Sequence, residues 1–156
     1  MKLRLLLVAL AFLGGCASAG SVAASATDAD LVASTKAVSL PPQTLEPGGC
    51  ALFLWTRDDP RHFVLFFPAG GLEAEAILNG RQQTLSVEAQ DGDVFGQFMT
   101  RMSMRDADGE HVSLTLAPGD EIEGGRKVPL ARMISKDAEG WEIITPLTGL
   151  TACQAE

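Results

Sequence analysis

From Cys50 onward the chain alternates short apolar runs with turn-forming clusters at roughly 8 to 12 residue intervals, the spacing of a β-sandwich or barrel. CALFLWT (50–56) stops at Arg57-Asp58-Asp59-Pro60, and RHFVLFFP (61–68) follows. Both runs are apolar on either face of a pleated strand, which predicts the most buried hairpin. EAEAILNG leads into a second hairpin, whose Asn79-Gly80 suits the positive φ angles of a type I′ turn. Its return strand, QQTLSVEA, sets Leu85, Val87 and Ala89 inward, and Asp91-Gly92 is expected to turn the chain again.

VFGQFMTRMSM (94–104) and HVSLTLAP (111–118) flank a turn at Asp106-Ala107-Asp108-Gly109, and in the second Val112, Leu114 and Leu116 alternate with polar residues. VPLARMIS (128–135) and WEIITPL (141–147) bracket the last turn, with Pro129 marking an edge. Nothing after Cys50 sustains a helical period. The pattern predicts an all-β domain over 50–156, a small antiparallel β-barrel of about eight strands, with a sandwich as the alternative. Closure would hide the strand edges.

The chain before Cys50 is of another kind. Met1-Lys2-Leu3-Arg4 is basic, and the apolar run Leu5 to Leu13 is too short to span a ~30 Å hydrocarbon core, so residues 1–15 read as a secretion signal. Residues 16–49 are rich in Ala, Ser, Thr, Gly and Pro, cannot bury enough apolar surface to offset their ordering entropy, and read as a flexible tether. Directly after the apolar run, Leu13-Gly14-Gly15-Cys16 resembles the lipobox of bacterial lipoproteins. That resemblance implies a diacylglyceryl group on Cys16, cleavage before it and acylation of the new amino terminus. Ala17 stands where such proteins often carry an Asp that retains them at the inner membrane, so the expected location is the outer membrane, facing the periplasm. The partner expected at this end is the membrane itself.

Without Cys16 the three cysteines reduce to Cys50 and Cys153, an even pair in a secreted chain that encloses the whole β region. They are expected to close the domain as a disulfide between its first and last strands; no C-x-x-C suggests redox work. Removing Lys2 and Arg4 from 12 basic residues leaves ten against 20 acidic ones, a net charge of about −10. So acidic a chain lacks the electrostatic footprint of a nucleic-acid binder and favours cationic partners.

Chemistry-bearing motifs are sparse. There is no G-x-S-x-G elbow, and His62 and His111 fall in different hairpins without a second histidine or a cysteine cluster, so neither metal nor cofactor is expected. Asp106-x-Asp108-Gly109-Glu110 has carboxylates at alternate positions but lacks the remaining spacing of an EF-hand, and a plain Asp-Gly turn explains it. Phe98, Met99, Met102 and Met104 read as core rather than as a groove. The densest charged and titratable cluster, Arg57, Asp58, Asp59, Arg61 and His62, caps the most apolar hairpin and is the candidate binding loop.

The expectation is a non-catalytic domain that binds a periplasmic protein or small-molecule ligand. In class and size it is similar to small disulfide-stapled β-barrel lipoproteins that inhibit lysozyme and to periplasmic protease inhibitors. That similarity implies the alternative of a hydrolase inhibitor, and transfers no inhibitory residue; an enzyme is the third reading, behind both.

Overall fold

Strand pairing in the computed structural model, which describes residues 38–156, closes on itself. The expected signal peptide, Cys16 with its lipobox, and most of the expected tether lie outside the described residues. Nine strands follow in order: β1 (Cys50–Thr56), β2 (Phe63–Pro68), β3 (Glu73–Leu78), β4 (Arg81–Phe95), β5 (Phe98–Arg105), β6 (His111–Ala117), β7 (Glu121–Ile122), β8 (Gly125–Lys136) and β9 (Glu142–Cys153). β1 to β6 pair in sequence, β6 pairs β8, β8 pairs β9, and β9 returns to β1, all antiparallel. The result is a closed eight-stranded barrel with β7 as an extra short strand. β7 runs on from β6 along β8, past an irregular stretch at Pro118–Asp120.

Eight strands leave an interior that side chains can fill, and here they do. Leu52, Leu54, Leu65, Phe67, Leu85 and Met104 are among the buried apolar residues that form one continuous core. Each fully buried Leu or Phe contributes roughly 1.5–3 kcal/mol. Val112, Leu114 and Leu116 alternate inward as expected, and Phe98, Met102 and Met104 are core, with Met99 half-buried.

Cys50 and Cys153 are direct ladder partners in the β1–β9 seam and are joined as a disulfide, with Cα atoms 4.0 Å apart. The seam is tight beyond the bridge. A Cβ on Gly149 would lie 1.9 Å from the Phe53 carbonyl oxygen and 2.8 Å from Leu54 Cδ2, so only glycine lets β9 approach β1 this closely.

The Asn79-Gly80 turn forms as expected, with φ of 50° and 71°. Three local expectations are corrected. Ala89, expected inward with Leu85 and Val87, is exposed, because a register shift between Val87 and Ala89 breaks the alternation. Asp91-Gly92 is not a turn: β4 runs on to Phe95 through an irregularity between Asp91 and Val94, and the chain reverses at Gly96-Gln97. Burial decides this, because the later reversal points both Phe95 and Phe98 into the core (3% and 2% exposed), whereas Val94 is left outside. Pro129 is not at an edge either. β8 lies between β6 and β9, and Pro129 sits in the register shift between Val128 and Ala131, where its missing N–H breaks no ladder bond.

Residues 38–49, at the end of the segment expected as tether, lie against the barrel. Leu40 is buried and its N–H donates to the Phe63 carbonyl (2.7 Å), while Ser39 Oγ accepts from the Phe63 N–H (3.1 Å).

Candidate binding surface

With the interior packed, the groups able to do chemistry stand on the outside. β1 and β2 are apolar on both faces, and their second face turns outward as a row of half-buried aromatic rings. Phe53 lies 5.3 Å from Phe66, 5.9 Å from Phe63 and 6.3 Å from Trp55 between ring centroids, and Trp55 lies 5.2 Å from Phe63. Such offset pairs add about 0.5–1.5 kcal/mol each beyond burial.

The loop between β1 and β2 closes on a two-bond neck. Thr56 N–H donates to the His62 carbonyl (2.9 Å), and His62 N–H donates to Thr56 Oγ1 (3.0 Å). The loop is also tied sideways, the Arg57 N–H donating to the Pro146 carbonyl on β9 (3.3 Å). Arg57, Asp58, Asp59 and Arg61 are exposed and His62 is half-buried. Arg61 alone of the five lines, with Trp55, Thr148, Gly149 and Leu150, an open cleft of about 440 Å³. The sequence marks the loop but not the cleft, because Gly149 and Leu150 arrive from the far end of the chain.

At the same end of the barrel, the turns after β5 and β8 are copies of one design. Asp106 Oδ1 accepts from the N–H groups of Asp108 and Glu110 (2.9 Å each), the Asp106 N–H donates to the Glu110 carbonyl, and the Gly109 N–H to the Asp106 carbonyl. Asp137 repeats all four bonds with Glu139, Gly140 and Trp141. Gly109 and Gly140 hold matching φ of 83° and 86°. These Asp side chains mimic backbone and fix the turns. The carboxylate that a calcium reading needs first is therefore engaged by amides, and among the described residues no three His, Cys, Asp or Glu side chains gather as a metal site.

The two turns meet across a cleft of about 280 Å³ lined by Asp108, Glu110, Lys136, Asp137, Ala138 and Gly140. Lys136 Nζ donates to Glu110 Oε2 at 2.9 Å. This bond, reinforced by the opposite charges, pulls the Glu110 pKa below its ordinary 4.5 and raises that of Lys136 above its ordinary 10.5.

One pairing escapes the sequence altogether. Ser103 on β5 and His111 on β6 face outward and meet at 2.9 Å between Oγ and Nε2. The two are close only because β5 and β6 are neighbours with Ser103 opposite Ser113. A nucleophile needs its base held by a third group and a site for the developing oxyanion. This pair lies on an open wall, with no carboxylate bonded to the imidazole among the described residues.

At the opposite end, beside the disulfide, Gln97, Glu121, Arg126 and Thr151 help to line a cleft of about 220 Å³, and Gln97 Nε2 approaches Cys50 Sγ at 3.2 Å. Compared with protein-family models, with curated proteins and with solved structures, the chain finds no match.

Proposed function

We propose that this chain is a lipoprotein of the bacterial envelope, anchored through Cys16 at the outer membrane and facing the periplasm, whose barrel binds a partner on its outer surface without catalysis. The packed interior carries this reading. A carrier of small apolar ligands requires a cavity of several hundred Å³ within the wall, and here Leu, Phe and Met side chains occupy that space. Recognition then falls to the exterior, where the aromatic row, Arg61 and the rigid turns are presented on a closed sheet. Inhibition of a periplasmic hydrolase, such as a lysozyme or a protease, is the second reading. It is favoured by the fixed turns that stand together at one end.

The anchor is tested by Cys16→Ser. The wild-type chain should partition with membranes at a mass that includes acyl chains, and the variant should lose both. A variant still found in the membrane fraction at the mature mass would remove the lipid anchor. The binding role is tested by passing envelope extract over the immobilised chain and identifying what is retained. An enriched hydrolase that loses activity when the purified chain is added supports the second reading.

A further inference from the structure

Apart from the conservative exchange of Asp108 for Glu139 at the third position, the twin turns differ at one place that the turn bonds do not need. In both, the first Asp and the fourth Gly make the turn, and the fifth residue contributes only its backbone. In the β5–β6 turn that residue is Glu110, held by Lys136. In the β8–β9 turn it is Trp141, with 73% of its surface exposed, and Ile143 (40%), two residues on and so on the same side, extends the apolar surface into β9, while Ile144 faces the other way. A polar residue serves the same turn on the neighbouring hairpin, so the turn bonds do not require the indole.

We propose that Trp141, with Ile143 on the same side of the strand, is the anchor of a docking surface for a basic protein; this deepens the binding function proposed above and rests on it. Trp is among the residues that most often dominate interfaces. Two of the four bonds made by Asp137 fix the Trp141 backbone itself, so little backbone order is lost on binding. The charge around it selects the partner. Asp106, Asp108, Glu110, Asp137, Glu139 and Glu142 lie on or beside the two turns, against the cations Arg81, which shares a cleft with Asp108, Arg105, bonded to Glu88, and Lys136, bonded to Glu110 and opposite Glu142. The excess is negative, as in the whole chain, and complements a cationic surface while repelling anionic polymers.

The test compares the full chain with Trp141→Ala, Trp141→Phe and Trp141→Glu, the last installing the residue of the twin turn so that one variant keeps a turn already known to fold. Each is immobilised, exposed to envelope extract and washed, and the proteins and peptidoglycan fragments retained are quantified by mass spectrometry. The expected result is a basic protein held by the wild type and Trp141→Phe and at least about tenfold less by Trp141→Ala and Trp141→Glu. Remade from purified components, that complex should weaken by the same factor in both variants, and further with added salt, while the melting temperature of the variants is unchanged. Equal retention by all four chains overturns the Trp141 surface and leaves the binding function standing. A Trp141-dependent partner that is acidic, or a peptidoglycan fragment, overturns the basic-protein assignment. Retention of nothing by the wild type removes both.

Discussion

Glu110 shows how one residue can be legible for the wrong reason. Its place in Asp106-x-Asp108-Gly109-Glu110 draws attention as a would-be ligand, yet its carboxylate serves a cross-turn bond to Lys136, 26 residues away. The bond lowers the Glu110 pKa, so the folded state binds its proton less tightly than the unfolded chain does. The stabilisation is therefore present at neutral pH and lost as pH falls through the depressed folded value. On the alkaline side, the raised Lys136 keeps its share until pH climbs past its folded value. Carbon-detected NMR titration should find Glu110 with a midpoint below 4.5, and Lys136→Met should move it up towards that value. A midpoint indifferent to Lys136→Met would mean the bridge does not persist in solution. Among the five residues of the candidate loop, the sequence ranks all alike by charge. Only the fold separates Arg61, which lines the cleft beside Trp55, from Arg57, Asp58 and Asp59, which stay exposed on the loop, and His62, half-buried at its neck.

At the scale of elements, strand β6 and the turn at Asn79-Gly80 are readable because their signals are local: alternation of period two, and residues that tolerate positive φ. The misplaced turn at Asp91-Gly92 shows where local chemistry loses. Asp-Gly favours a reversal, but moving it to Gly96-Gln97 buries two phenylalanines, and each is worth more than a turn preference. Gly149 belongs to this scale as well, since its role depends on β1 lying against β9. Gly149→Ala should destabilise the barrel by about 1–3 kcal/mol or more, because backbone atoms must move to admit the methyl group. Equilibrium urea unfolding reads this directly, and a substitution with no cost would mean that the seam is looser than its geometry.

At the scale of the molecule, the seam between first and last strands is what makes a sheet into a barrel. Seven consecutive pairs, from Cys50↔Cys153 to Thr56↔Leu147, hold it, and the disulfide sits at its outer end across a sequence separation of 103. Closing so long a loop restricts the unfolded chain by up to roughly 4.7 kcal/mol in the chain-entropy model. The double variant Cys50→Ser/Cys153→Ser should lose about 2–5 kcal/mol of unfolding free energy while keeping native circular dichroism, because the ladder remains. Loss of the native spectrum in buffer would show that the bridge is required for closure itself.

The sequence alone determined the fold class, the approximate strands, the even cysteine pair and the loop at the tip of the first hairpin. These follow from periodicity, turn chemistry and counting, which act over a few residues or over the whole composition. Tertiary structure decided the rest. Trp55 meets Thr148, and the β5–β6 turn meets the β8–β9 turn, only once strands distant in sequence are neighbours in the barrel, and Ser103 meets His111 only in the register that β5 and β6 adopt. Whether the second apolar face of β1 and β2 would be core or surface also had to await closure, because a barrel has one inside, and Leu52, Leu54, Leu65 and Phe67 fill it.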